Sequence, residues 1–411
     1  MTPKKHRVSR KLSWNSISGG VTAARGYLAA GVAAGIKKKG LDLAVLFSPQ
    51  ITSAAGVFTL NRVQAAPVVL SKENLKASRG RIRAVVINSG CANACTGKQG
   101  MRDAAITVSH LASLLEIDPP QVLVGSTGVI GAPLPVRKVL SGISTAVAAL
   151  NSKGGTAAVR AIMTTDTREK TFAVEGYIGG KKVRIGGMAK GAGMIHPNMA
   201  TMISVVTTDI EATPADLNKI LHSVVERTFN CLTVDGDTST NDMVLLLANG
   251  VSGCRLDARS RAQFEEGLEE VCRQLAMSIA RDGEGATKFV EIRVREAASF
   301  ENARRVAKSI ANSPLVKTAI CGEEFNWGRI ICAAGYSGVQ FDPEKVAMSL
   351  NGIPAFRNGA PVASARGRAE KAMKAHDIEI EIKLGTGKAE AKVWTCDFSH
   401  RYVDINASYI S

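Results

Sequence analysis

Aromatic residues are scarce in this sequence, at 5% of 411 positions, and Pro is thin at 13, whereas Gly reaches 39. A chain so poor in large rings builds its core from small and branched aliphatic side chains. It also offers no basic stripe interleaved with aromatics of the kind that stacks single-stranded nucleic acid. No acidic residue precedes Asp42, although Lys4, Lys5, Arg7, Arg10, Lys11, Arg25, Lys37, Lys38 and Lys39 do; without those nine the formal net charge falls from +16 to +7. A nucleic-acid partner would therefore rest on net charge alone, and the mildly basic remainder suits a protein that handles small acidic molecules. No apolar run approaches ~18 residues, which leaves no segment for a helical membrane span, and no apolar h-region opens the sequence.

Several catalytic signatures of fixed spacing are missing too: G-x-S-x-G, H-E-x-x-H and G-x-x-x-x-G-K-[ST]. The six histidines are dispersed without ligand spacing, so no metal is expected. Asp235 to Asp242 reads DGDTSTND, but Thr240 and Leu246 stand where a calcium loop needs Gly and Glu, leaving a polar loop ahead of the buried run MVLLLAN. GTGKA at 385–389 lacks both the upstream Gly and the hydroxyl residue of a phosphate loop, and reads as a hairpin turn. Cysteines 91, 95, 231, 254, 272, 321, 332 and 396 never form C-x-x-C. The expectation is a soluble cytoplasmic protein with reduced thiols. Residues 1–18 read as a basic solvated tail, with an organellar transit peptide as the alternative.

What is present is an alternation of buried strands and amphipathic helices, which argues for an α/β protein. LDLAVLFSP and RIRAVVINSG read as strands, the second emptying into the small, polar loop GCANACTGKQG ahead of a helix over 103–117. VLVGSTGVIG repeats the pattern, with a turn at Gly-Ser-Thr-Gly, and 136–150 reads as a helix. AAGVFTLNRVQAAPVVLS alternates short strand-like pieces with turns, and 171–190 is a hairpin turned at Gly179-Gly180. Thr213-Pro214-Ala215-Asp216 starts a helix whose buried stripe is Leu217, Ile220, Leu221, Val224 and Val225. Further helices are expected near 260–280 and 301–312, and alternation at Ile378, Ile380, Ile382 and Leu384 predicts a C-terminal hairpin.

The stretch KGAGMIHPNMATMISVVTTD, Lys190 to Asp209, sets a glycine-rich run and a His-Pro-Asn turn before Ala200-Thr201. By local composition it is an ordinary entrance to a strand, with Thr as a strand former. The chemical reading differs. A threonine hydroxyl needs an adjacent base, and the residue's own α-amine, with a pKa of about 7.7–8.0, serves once the preceding peptide bond is cut.

KGAGMIHPNMATM, with INSGCANACTG, GSTGVIG, MTTDT, DGEGATK, SPLVKTA, NWGRI and NASYIS, resembles the glutamate N-acetyltransferase (ornithine acetyltransferase) family of arginine biosynthesis. The motifs are collinear from about Gly19 to Ser411, nearly the whole chain, so the resemblance is specific. It implies a layered α-β sandwich of mixed sheets with helices, made as a precursor that cuts itself between Ala200 and Thr201. The products would be an α chain whose recognisable part is 19–200 and a β chain of 201–411, assembled as the α2β2 heterotetramer that the family implies. Thr201 would be nucleophile, Thr127 and Gly128 the oxyanion hole, and Thr164, Lys190, Thr201, Glu284, Asn406 and Ser411 the substrate site. The implied reaction moves acetyl from N2-acetyl-L-ornithine to L-glutamate through acetyl-Thr201, with no cofactor; some family members also use acetyl-CoA as co-substrate. A rival is a self-processing amidase or aminopeptidase in which water takes the acyl group.

Overall fold

A computed structural model describes residues 14–196 and 202–408. The chain opens with β1 (Trp14–Ile17), β2 (Leu28–Val32) and the long β3 (Leu43–Phe58), then α1 (Ala66–Ala77) and β4 (Arg81–Cys91). Next come α2 (Gly97–Leu115), β5 (Val122–Val129), α3 (Val136–Ala148), α4 (Gly155–Ile162) and the hairpin β6 (Lys170–Ile178) and β7 (Lys181–Lys190). β8 (Ile203–Thr208), α5 (Pro214–Arg227), β9 (Met243–Ala248) and α6 (Arg261–Arg281) complete the first layer. Among the described residues these strands form one sheet ordered β1-β6-β7-β8-β9-β3-β4-β5, with β2 also paired to β3.

At the centre of this sheet β8 and β9 run parallel, in register from Ile203↔Met243 to Thr208↔Ala248. Their sequences, ISVVTT and MVLLLA, are buried at every position. Parallel strands read this way because helices cover both faces. Alternation does the sorting: Val206, Val244 and Leu246 enter the core shared with α5 and α6, whereas Ile203, Val205, Leu245 and Leu247 enter the one shared with α4. The stripe on α5 is fully buried, and the Thr213 hydroxyl caps the helix by accepting the Asp216 N–H at 3.1 Å.

A second sheet follows from β10 (Phe289–Ala297) through α7 (Phe300–Ala311), α8 (Pro314–Cys321), α9 (Trp327–Gly335), β11 (Ala347–Leu350), β12 (Ile353–Arg357), β13 (Ala360–Pro361) and α10 (Arg366–Ala372) to β14 (Asp377–Lys383), β15 (Ala389–Cys396) and α11 (His400–Ser408). Its order is β13-β12-β11-β14-β10-β15. α6 and α7 both pack against β15, so one apolar core runs from the first sheet into the second. No helix of the described residues is long and apolar enough to cross a membrane.

Four local expectations change. The C-terminal strands exist, but β10 lies between them, parallel to β14 and antiparallel to β15. GTGKA is therefore no hairpin turn: it crosses the end of β10, with the Thr386 and Gly387 N–H groups donating to the Glu296 carbonyl. The Ile alternation reports a half-buried strand and says nothing of its partner. Residues 54–58 continue β3, and the segment read as strand pieces after them contains α1. β5 runs straight through Gly-Ser-Thr-Gly to Val129. Trp14–Ile17, read as part of the tail, is a strand paired with β6, and Trp14 is buried, its indole donating to the Gln263 carbonyl at 3.0 Å.

Candidate active site

β4 and β5 are parallel, and their carboxyl ends bring Gly90 level with Gly128. Gly128 has φ +129°, and a Cβ there would lie 2.4 Å from the Gly90 carbonyl carbon. Only glycine allows the two strand ends to approach so closely. Ser126 donates to Asn88 Oδ1 at 2.6 Å and Asn88 Nδ2 to the Cys91 carbonyl at 2.9 Å, which fixes the strand end carrying Thr127. Asn241 Nδ2 donates to the carbonyls of Ala92 (2.6 Å) and Ser126 (2.8 Å), tying the 235–242 loop to the same ends.

These ends open on a cavity of about 370 Å³ lined by Thr127, Gly128, Lys190, Asp235, Asn241, Asp242, Glu284, Tyr402 and Asn406 among others. Thr164 joins through its hydroxyl, which accepts from Lys190 Nζ at 2.7 Å. Asn406 Nδ2 donates to Glu284 Oε2 at 2.8 Å. The Glu284 carboxylate lies so close to the backbone of Gly193 that a Cβ there would sit 2.2 Å from it, so that glycine is what lets the acid into the cavity wall. Ala200, Thr201 and Ser411 lie outside the described residues; Met202 and Ile203, which follow Thr201, line the cavity.

The charges are arranged rather than scattered. Lys190 is 8% exposed. Burial pushes its ammonium down from the ordinary lysine range, and the Asp166 carboxylate pulls it back. Burial would raise Asp166, but the Lys190 and Lys170 ammonium groups outweigh it and hold the carboxyl well below its usual range. Asp166 accepts from the Thr164 N–H (2.9 Å), the Gly191 N–H (2.7 Å) and Lys170 Nζ (2.6 Å), and Lys170 Nζ also donates to Asp282 at 2.5 Å. Lys190, Asp166, Lys170 and Asp282 thus form a buried chain of alternating sign. Burial raises Asp235, and burial with Asp235, Asp237 and Glu284 raises the Tyr402 phenol.

The cavity can hold a small zwitterion, with a carboxylate on Lys190 and an ammonium on Glu284. Among the described residues no His, Cys, Asp and Glu cluster is placed to bind a metal ion. Cys91 is buried, which pushes its thiol up, so it is a packing residue. Sequence reasoning misses Asp166, Lys170, Asp235 and Asn241. The dense carboxylates and amides of DGDTSTND, between two buried runs, are the available signal for the last two.

Fold and cavity together define an α/β protein with a polar site for a small metabolite. The chain belongs to the ArgJ family, whose model matches residues 28–411. The arginine biosynthesis bifunctional protein ArgJ of Symbiobacterium thermophilum is 50% identical over 400 residues, 96% of this chain and 99% of that protein. Its namesake in Parasynechococcus marenigrum is 46% identical over 410 residues, covering all of both, and a chloroplastic one from Sorghum bicolor is 44% identical, with 96% of this chain and 88% of the relative matched. Among solved structures, ornithine acetyltransferase complexed with ornithine from Mycobacterium tuberculosis is 43% identical, with 46% of this chain and 100% of that one covered and a TM-score of 0.42.

Proposed function

We propose that the chain is a bifunctional acetyltransferase of arginine biosynthesis that moves acetyl from N2-acetyl-L-ornithine to L-glutamate through acetyl-Thr201, and that it can also acetylate glutamate from acetyl-CoA. The observation that carries this reading is the family match over 28–411, with relatives at 46–50% identity that bear the bifunctional name. The cavity supports it, since Lys190, Glu284, Thr127 and Gly128 share one space with Met202, the neighbour of the proposed nucleophile.

In this mechanism the Thr201 hydroxyl first attacks the Ala200 carbonyl, the C–N bond breaks, and the resulting ester is hydrolysed to an Ala200 carboxylate and a free Thr201 amine. The amine then takes the proton as the hydroxyl attacks the acetyl carbonyl of acetylornithine. The Thr127 hydroxyl and Gly128 N–H meet the oxyanion, and loss of one such donor costs about 10²–10³ in turnover. Ornithine leaves with the proton, and the glutamate amine attacks acetyl-Thr201 to regenerate the hydroxyl. Lys190 holds the α-carboxylate of either amino acid and Glu284 the ornithine side-chain ammonium, with Thr164, Asn406 and Ser411 completing the site. The working form is an α2β2 assembly in the cytoplasm.

The test is a denaturing gel and an acetylornithine assay of wild type beside Thr201→Ala. Wild type should give two bands of roughly half mass and consume acetylornithine only with glutamate present; the variant should stay whole and inactive. An uncut, active wild type would sink the mechanism, and steady consumption without glutamate would make the protein an amidase.

A further inference from the structure

Residues 192–196 form part of the cavity wall through Gly193 and Met194, and they stand just ahead of the proposed cut after Ala200. Once that bond is broken they belong to the last residues of the α chain, and chain ends fray unless something ties them down. The ties are present. Met194 and Ile195 donate their N–H groups to the two oxygens of Asp235, at 2.6 and 2.8 Å. The Ile195 carbonyl accepts from the Val234 N–H at 2.7 Å and the Thr233 hydroxyl at 3.1 Å. The His196 carbonyl accepts from the Thr238 hydroxyl at 3.1 Å, and the Ala192 carbonyl from the Glu284 N–H at 2.9 Å. Every one of these partners follows residue 201 in sequence.

Met194 itself sits at φ +55°, a left-handed conformation that a side chain other than Gly adopts only when its surroundings hold it there. Asp235 is withdrawn from water far enough for burial to raise its carboxyl, so its bonds to the Met194 and Ile195 N–H groups, beside a third from its own loop at Asp237, are made where water competes little. We infer that Asp235 is a positioning residue: it clips the end of the α chain onto the β chain, so that the wall carrying Gly193 and Met194 keeps its shape after self-cleavage. Such a clip rests on the proposed cut and deepens that reading. Asp235 itself lines the cavity, and its carboxylate holds the neighbouring wall through the Met194 and Ile195 N–H groups.

The test separates a clip needed by the cut chain from a general structural role. Asp235→Asn replaces one acceptor oxygen by an amide that faces an N–H, and is made both in the self-cleaving protein and in the uncut Thr201→Ala form. Ornithine affinity is read by calorimetry in all four proteins. In the cut protein Asp235→Asn should weaken ornithine roughly ten-fold or more, whereas between the two uncut forms, whose segment is held covalently at both ends, the change should stay within about two-fold. Thr238→Val, which removes only the bond to the His196 carbonyl, should show the same asymmetry at smaller size and covers the case in which Asp235→Asn does not fold. Equal losses in cut and uncut backgrounds would overturn the inference. A wild type that never cuts is seen first on the gel, and identifies a failure of the proposed cleavage instead.

Discussion

Asp166 shows how much of the site depends on a residue that need not touch the substrate. Its side chain is fully buried between two ammonium groups, and its charge is the largest of those, with Asp242 and Glu284, that support the Lys190 ammonium against the cost of burial. Asp166→Asn removes that support, so Lys190 should lose its proton at lower pH than in wild type. The alkaline limb of kcat/KM should then move to lower pH, with a loss on the order of ten-fold at neutral pH, which corresponds to about 1.4 kcal/mol. An alkaline limb that stays in place would count against this role for Asp166. Stability follows the same carboxylate. Its folded-state pKa is depressed, so its contribution is complete above the ordinary carboxylate range and fades as the pH falls through and below it. Lys190 and Glu284 were legible in the sequence only because flanking motifs placed them. Asp166 and Lys170 were not, because Asp166 meets Lys190 and the Gly191 N–H only once β6 and β7 fold back, and Lys170 meets Asp282 only through the tertiary fold.

At the scale of elements, legibility followed the kind of signal each one carried. α5 was readable because cap, first-turn Pro and apolar stripe agree, β9 because a fully buried strand leaves an unbroken apolar run, and β8 because its β-branched Ile, Val and Thr residues carry no charge. Pairing was less readable, since alternation fixes which face is buried and leaves the neighbour open, as β14 and β15 show by flanking β10. The same contrast sets relative stabilities. Leu246, buried completely on β9 between the sheet and α5, should cost about 2–5 kcal/mol when cut to Ala, because the packed layers cannot close the gap. Thr213→Ala removes one exposed cap and should cost only about 1 kcal/mol. Urea unfolding is compared at matched protein concentration in the uncut Thr201→Ala background, so that separation of the two halves does not enter. Equal losses for the two changes would mean that the β9 core is softer than its packing indicates.

At the scale of the whole molecule, the proposed cut falls inside one sheet rather than between two bodies. β7 precedes it and β8 follows it, yet they pair from Lys190↔Ile203 to Ile185↔Thr208. β9, also after the cut, pairs with β3 from Phe58↔Met243 to Ser53↔Ala248. The β half therefore supplies two central strands of a sheet whose outer strands all come from the α half. Pulling the halves apart would bare strand edges on both sides of the gap and open the core beneath α5 and α6. Cleavage should thus change the covalent structure and leave the fold whole. On gel filtration in native buffer the cut protein should run as one species that yields both bands on a denaturing gel, at every dilution down to the detection limit. In concentrated denaturant the two chains should separate. Recovery of free α or β chain from native buffer would show that the sheet does not hold across the cut, and would remove the physical reason for placing Thr127 and Gly128 from one half beside Thr201 from the other.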